Sequence, residues 1–119
     1  MKFYYDNKLI RTSKSHAYTH ALIDQNCKAV TCSATREGCE KEHSRLVRKL
    51  EQIIQNRENA LAARAAGKTQ VKWLDGRKTY YLKLNERRYL DEFSKYIEAD
   101  RKRLHTMIHD WKIVELEAR

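Results

Sequence analysis

Three cysteines and one histidine fall within seventeen residues, as Cys27-x4-Cys32-x6-Cys39-x3-His43. Three thiolates and an imidazole make a tetrahedral zinc set with no open coordination position, so the ion they imply is structural Zn²⁺. A thiolate-rich site also suits iron. Cys39 and His43 lie four residues apart at the start of a strongly helical stretch, where both side chains project from one face. Cys27 and Cys32 bracket the β-branched run Ala29-Val30-Thr31, so a strand and its turn are expected to offer two thiolates to the first turns of that helix. His20 is an alternative to His43 as the fourth ligand.

Other histidines offer less. His16 and His20 in an extended strand would stand about 13 Å apart, too far to share an ion. His105 and His109 occupy one face of a later helix but lie off its apolar seam. No set of nucleophile, general base and oxyanion donors assembles from the sequence, and four protein ligands leave zinc no water to activate, so an enzyme is not expected.

The elements that must position these residues follow from pattern. Residues 2–12 read as a hairpin around Asp6-Asn7. Alternation over Tyr18 to Ile23 predicts a third, half-buried strand, and Lys28 to Ser33 a fourth. Thr35 suits a helix N-cap, and Gly67 suits the stop. Leu46, Val47, Leu50, Ile53, Ile54 and Leu61 form the apolar stripe of this helix, with Cys39 and His43 in phase with it. Beyond residue 54 the stripe thins into alanines, and part of that half is expected to face solvent.

Val71 to Leu74 and Lys78 to Leu84 read as a second hairpin turning at Asp75-Gly76. Asn85 suits the cap of a last helix running from 86 to about 116. Its heptad slots are Leu90, Phe93, Ile97, Asp100, Leu104, Met107, Trp111 and Val114. The expected fold is therefore α+β in a single domain: an N-terminal antiparallel sheet over 1–34, a helix over 35–67, a hairpin over 69–84 and a helix over 85–117. Zinc would sit at the sheet–helix junction, and the hairpin would return the second helix antiparallel to the first. The heptad seam pairs either within a monomer or in a helix-mediated homodimer.

The chain has 119 residues and a formal charge of +9, and no apolar run approaches the ~18 residues of a membrane span. Met1 to Asp6 lacks the apolar core of a secretory signal, so the cytoplasm is the expected location, where thiols stay reduced. The charge is uneven: residues 1–35, 36–68 and 69–84 carry +3 each, and 85–119 are neutral. A basic front points to a polyanion or an acidic protein face as partner. In the second hairpin Lys72, Trp73, Arg77, Lys78, Tyr81 and Lys83 combine phosphate-seeking charge with rings that stack on bases. Arg101, Lys102 and Arg103 form a second basic group on the last helix. The same alternation also describes an ordinary one-sided sheet with solvated lysines.

Two resemblances extend these expectations. The order Cys27, Cys32, Cys39, His43 resembles the RNA-binding fingers that share it, but the residues between the ligands contain no aromatic, so the metal geometry carries over and the RNA function does not. The opening meander, Phe3-Tyr4-Tyr5-Asp6-Asn7-Lys8-Leu9-Ile10-Arg11-Thr12 followed by His16 to Ile23, resembles small accessory proteins of phages and mobile elements, among them anti-CRISPR inhibitors of Cas9. That resemblance implies a binding protein that docks on a Cas9 ribonucleoprotein of a bacterial host and blocks target loading or nuclease activation, a role with which a zinc-stabilised, non-enzymatic domain is compatible. The alternative is a zinc-containing DNA- or RNA-binding module or transcriptional regulator.

Overall fold

A computed structural model describes residues 1–85 and 90–119. The protein is α+β, and every strand pairing in it is antiparallel. The chain divides into two compact units, one of residues 1–47 with 105–119 and the other of residues 48–104.

In the first unit, β1 (Lys2–Tyr5) and β2 (Lys8–Thr12) form a hairpin whose turn residues Asp6 and Asn7 both have positive φ, 50° and 62°. Two left-handed residues match the twist of the flanking strands, and Asp and Asn tolerate that region best after glycine. β3 (His20–Ile23) pairs with β4 (Ala29–Ser33), and Asp24 organises their connection by accepting from the Asn26 and Lys28 amides. Ala21, Leu22 and Ile23 are all buried. β3 is thus a central strand covered on both faces, where alternation had suggested a half-buried one.

α1 (Arg36–Ala65) begins where the Thr35 hydroxyl accepts from the Gly38 amide, the side-chain cap that satisfies a first-turn donor. Gly38 is there for space: a Cβ on it would fall 2.0 Å from Ser33 Oγ and 2.9 Å from Ser33 Cβ. The helix closes with Gly67 at φ 75°, Lys68 N–H donating to Ala63 O and Gly67 N–H to Arg64 O. Those two bonds satisfy carbonyls that the helix end would leave open.

The second unit holds β5 (Gln70–Asp75) and β6 (Lys78–Lys83), a two-stranded hairpin in the register Val71–Leu82 and Trp73–Tyr80. Asp75 pairs with Lys78, so the two-residue turn is Gly76-Arg77, one position later than expected from sequence. Gly76 has φ 59°, the left-handed first position that a tight hairpin turn requires. Val71, Trp73, Leu82 and Leu61 pack on a core of Ala60, Ala63, Leu84, Leu90 and Phe93. Ala60 and Ala63 of α1 are therefore core, where small side chains let the hairpin approach the helix, while Ala62 and Ala65 are exposed, so part of this half faces solvent as expected.

α2 (Phe93–His109) presents Phe93, Ile97 and Met107 as buried positions. Asp100 of its seam pairs with Arg57, and Arg101 pairs with Glu58. The cap at Asn85 would act on residues 86–89, which with the helix start at 86 lie outside the described residues. The helix expected over 85–117 ends at His109, where the Asp110 and Trp111 amides both turn back to Thr106 O. Residues beyond it form β7 (Lys112–Glu115) and β8 (Glu117–Ala118). β7 joins β3 with Leu22 opposite Ile113 and Ala21 opposite Val114, and β8 joins β1. Ile113 and Val114 are β-branched, and pairing on β3 gives their backbone a ladder that outweighs one more helical turn. The resulting sheets run β2-β1-β8, β4-β3-β7 and β5-β6.

Candidate functional site

The cysteine–histidine segment is spread over three elements. Cys27 is exposed at the β3–β4 turn with φ 60°, its amide donating to Asp24 O. Cys32 is the fourth residue of β4, which begins at Ala29. Turn and strand thus carry one thiol each, as expected, but Cys27 does not form a metal-binding group with Cys32 and Cys39. Cys32 and Cys39 do come together. Cys39 is fully buried near the start of α1, close enough to Cys32 to feel its charge. Burial pushes the Cys32 thiol up, and the charge of Arg11 opposes it more weakly. Burial also pushes Cys39 up and Cys32 adds to the rise, while a backbone hydrogen bond with Leu22 and the charge of Arg36 oppose it. Both thiols are therefore held toward their protonated, unreactive form.

His43, one turn beyond Cys39, is half-buried with Nε2 2.6 Å from Met107 O, so Nε2–H donates there. Its ring lies 6.3 Å from that of Trp111, whose Nε1 donates to Gln25. His20 Nδ1 sits 2.7 Å from the Thr19 hydroxyl. Among the described residues, no three His, Cys, Asp or Glu side chains are grouped closely enough to hold an ion. The His105 and His109 rings are 4.3 Å apart on the exposed side of α2, with no third such ligand grouped with them.

The basic hairpin is built more coherently. Strand alternation places Val71, Trp73, Tyr80 and Leu82 on one face and Lys72, Leu74, Thr79, Tyr81 and Lys83 on the other. Tyr81 is 66% exposed, with Lys72 directly across the ladder and Lys83 two residues along the same face. Trp73 is turned inward, its ring 6.0 Å from that of Phe93, so it is a core residue before it is a binding residue. Its rim still meets Tyr80, Tyr81 and Leu82 at a hollow of about 240 Å³. Arg77 and Lys78 are exposed at the hairpin tip. Arg101, Lys102 and Arg103 are exposed on α2, Arg101 bonded to Glu58 and Lys102 to Glu98, which lowers their claim as a free basic patch.

Residues 48–104 carry fifteen lysines and arginines against eight aspartates and glutamates, or seven of the nine net positive charges of the chain. Asn56 was not legible as important in the sequence. Its buried side chain accepts from Leu74 N (3.2 Å) and donates to Leu74 O (2.6 Å), fixing β5 to α1 and thereby positioning the hairpin.

No helix among the described residues is long and apolar enough to cross a membrane. Comparison with models of known protein families, with curated proteins and with solved structures finds no match.

Proposed function

We propose that the protein acts by binding, without chemistry of its own, and that the Tyr81 face of the β5–β6 hairpin engages single-stranded nucleic acid. The observation that carries this is a ring 66% exposed between two lysines, on the unit that holds most of the positive charge. A tyrosine so placed stacks on any base, while Lys72 and Lys83 meet phosphates on either side. The aromatic hollow beside it offers a seat for a second base.

The test is fluorescence anisotropy with a labelled oligothymidylate between 50 and 200 mM salt. Binding is expected to weaken steeply with salt. Tyr81→Ala should cost about 1–3 kcal/mol of affinity, and Lys72→Ala should reduce the salt slope by about 0.7–1. Absence of binding at the lowest salt would sink the proposal. Binding only to an effector ribonucleoprotein such as Cas9 would instead favour the inhibitor role implied by the opening meander.

A structural zinc ion is the second element of the proposal, supported by Cys32 beside Cys39 with His43 one turn along the same helix. A four-ligand site requires Cys27 to come to Cys32 and Cys39, while His43 can keep its Nε2–H bond to the Met107 carbonyl and ligate through Nδ1. The proposal expects one zinc per chain by elemental mass spectrometry, lost in Cys39→Ser together with much of the thermal stability. A metal-free parent protein ends it. Thiol titration is an independent check: zinc protects all three cysteines until a chelator is added. Without zinc, Cys27 reacts first and Cys39 only on unfolding.

A further inference from the structure

β5 has an outer edge that its own fold covers only in part. Leu84 N–H donates to Thr69 O, and hydrogen-bonded pairs alternate from there, so Gln70, Lys72 and Leu74 turn their backbone N–H and C=O away from β6. Asn56 takes the pair at Leu74, its carboxamide imitating a neighbouring strand. Gln70 and Lys72 instead face a groove of about 430 Å³ between β5 and the last turns of α1. Asn59, Ala62, Ala63 and Ala66 line its helix side, and Lys68 and Lys72 stand at its rim. Among the described residues β5 pairs with β6 alone. An open sheet edge is a template for another strand, and natural sheets usually block it.

We infer that this edge receives an extended acidic peptide of a partner protein, which adds as a third strand beside β5. The ladder favours a peptide over nucleic acid: the edge offers both donors and acceptors, and a phosphate backbone can answer only the donors. Lys68 and Lys72 favour acidic side chains next to the added strand. A second copy of β5 is disfavoured, because antiparallel pairing about a twofold axis through the open stretch brings the two Lys72 side chains together. Alanines on the helix side leave room for the added backbone and its inward side chains, which larger residues would fill. The two open residues are two apart, so a segment of about three residues makes the ladder.

The test uses the full chain and the peptide acetyl-(Glu-Val)3-amide, with binding followed by calorimetry and by hydrogen exchange. Saturating peptide is expected to slow exchange of the Gln70 and Lys72 amides at least tenfold. Gln70→Pro removes an outward N–H and breaks no bond to β6, and should weaken the peptide at least tenfold. Ala66→Trp, at an exposed site, should block the groove to the same extent. Both variants are expected to keep oligonucleotide affinity at the Tyr81 face, which separates this site from that one. Unchanged exchange at Gln70 and Lys72 under saturating peptide would overturn the inference. So would equal binding of acetyl-(Lys-Val)3-amide. A concentration-dependent dimer lost in Gln70→Pro would assign the edge to a second copy and likewise overturn it.

Discussion

Asn56→Ala is expected to lower the unfolding free energy by about 3 kcal/mol in urea denaturation. The side chain is 1% exposed and has three hydrogen bonds: it accepts from Gln52 Nε2 and Leu74 N and donates to Leu74 O. Truncation removes a modest net gain from each bond. The larger cost is that the Leu74 amide and carbonyl lose their partner at a covered edge, and each such orphan costs about 1–3 kcal/mol. Asn56→Asp keeps the shape but turns the donor that meets Leu74 O into an acceptor, so its cost should be at least as large. The loss should appear locally as well, as faster hydrogen exchange through residues 70–83. A change below about 0.5 kcal/mol, the range of an ordinary surface substitution, would show that the carboxamide does not anchor the hairpin.

Phe93→Ala carries the other large expected effect, about 3–5 kcal/mol, the range for emptying an aromatic site in a packed core. Phe93 is 1% exposed among Ala60, Ala63, Leu84 and Leu90, and the inward ring of Trp73 lies 6.0 Å away. Arg57, which pairs with Asp100, stands 6.0 Å over the Phe93 ring and 5.1 Å over that of Tyr96, so truncation removes one of the two rings that flank its guanidinium. The alanines cannot expand into the void, and collapse would have to draw in the hairpin itself. The same substitution separates support from recognition. Phe93→Ala should lower both melting temperature and oligonucleotide affinity, whereas Tyr81→Ala should lower affinity with melting unchanged. Equal melting of Phe93→Ala and the parent would remove the hairpin core as described.

Local chemistry made much of this architecture legible. Thr35 and Gly67 mark the ends of α1 because a hydroxyl cap and a left-handed glycine act within one turn of the chain. Asp6-Asn7 and Gly76 mark hairpin turns for the same reason, since positive φ is a property of single residues. The lysine and tyrosine alternation of β6 was also readable, although which rings face outward depends on what lies beneath the hairpin. Trp73 belongs to the core and Tyr81 to solvent, and both carry the same local signal.

Spacing in the chain did not give spacing in space at the cysteines. Cys27 stays in the turn before β4, while the packing of α1 on β4, with Gly38 against Ser33, brings Cys39 near Cys32. The heptad run through Trp111 and Val114 is equally compatible with helix and strand, and β3 decided it by offering an edge that no local window contains. Asn56 reads as one more polar residue on a helix until Leu74 is laid beside it. By itself the sequence determined the α+β class, the ends of the first helix, the Asp6-Asn7 turn and the basic charge, since each depends on residues within a few positions of one another, and it placed the second hairpin turn to within one residue. The tertiary structure alone decided which strand α2 yields to, which thiols meet and which edge of β5 stays open, because those outcomes depend on backbone pairing between segments far apart in the chain.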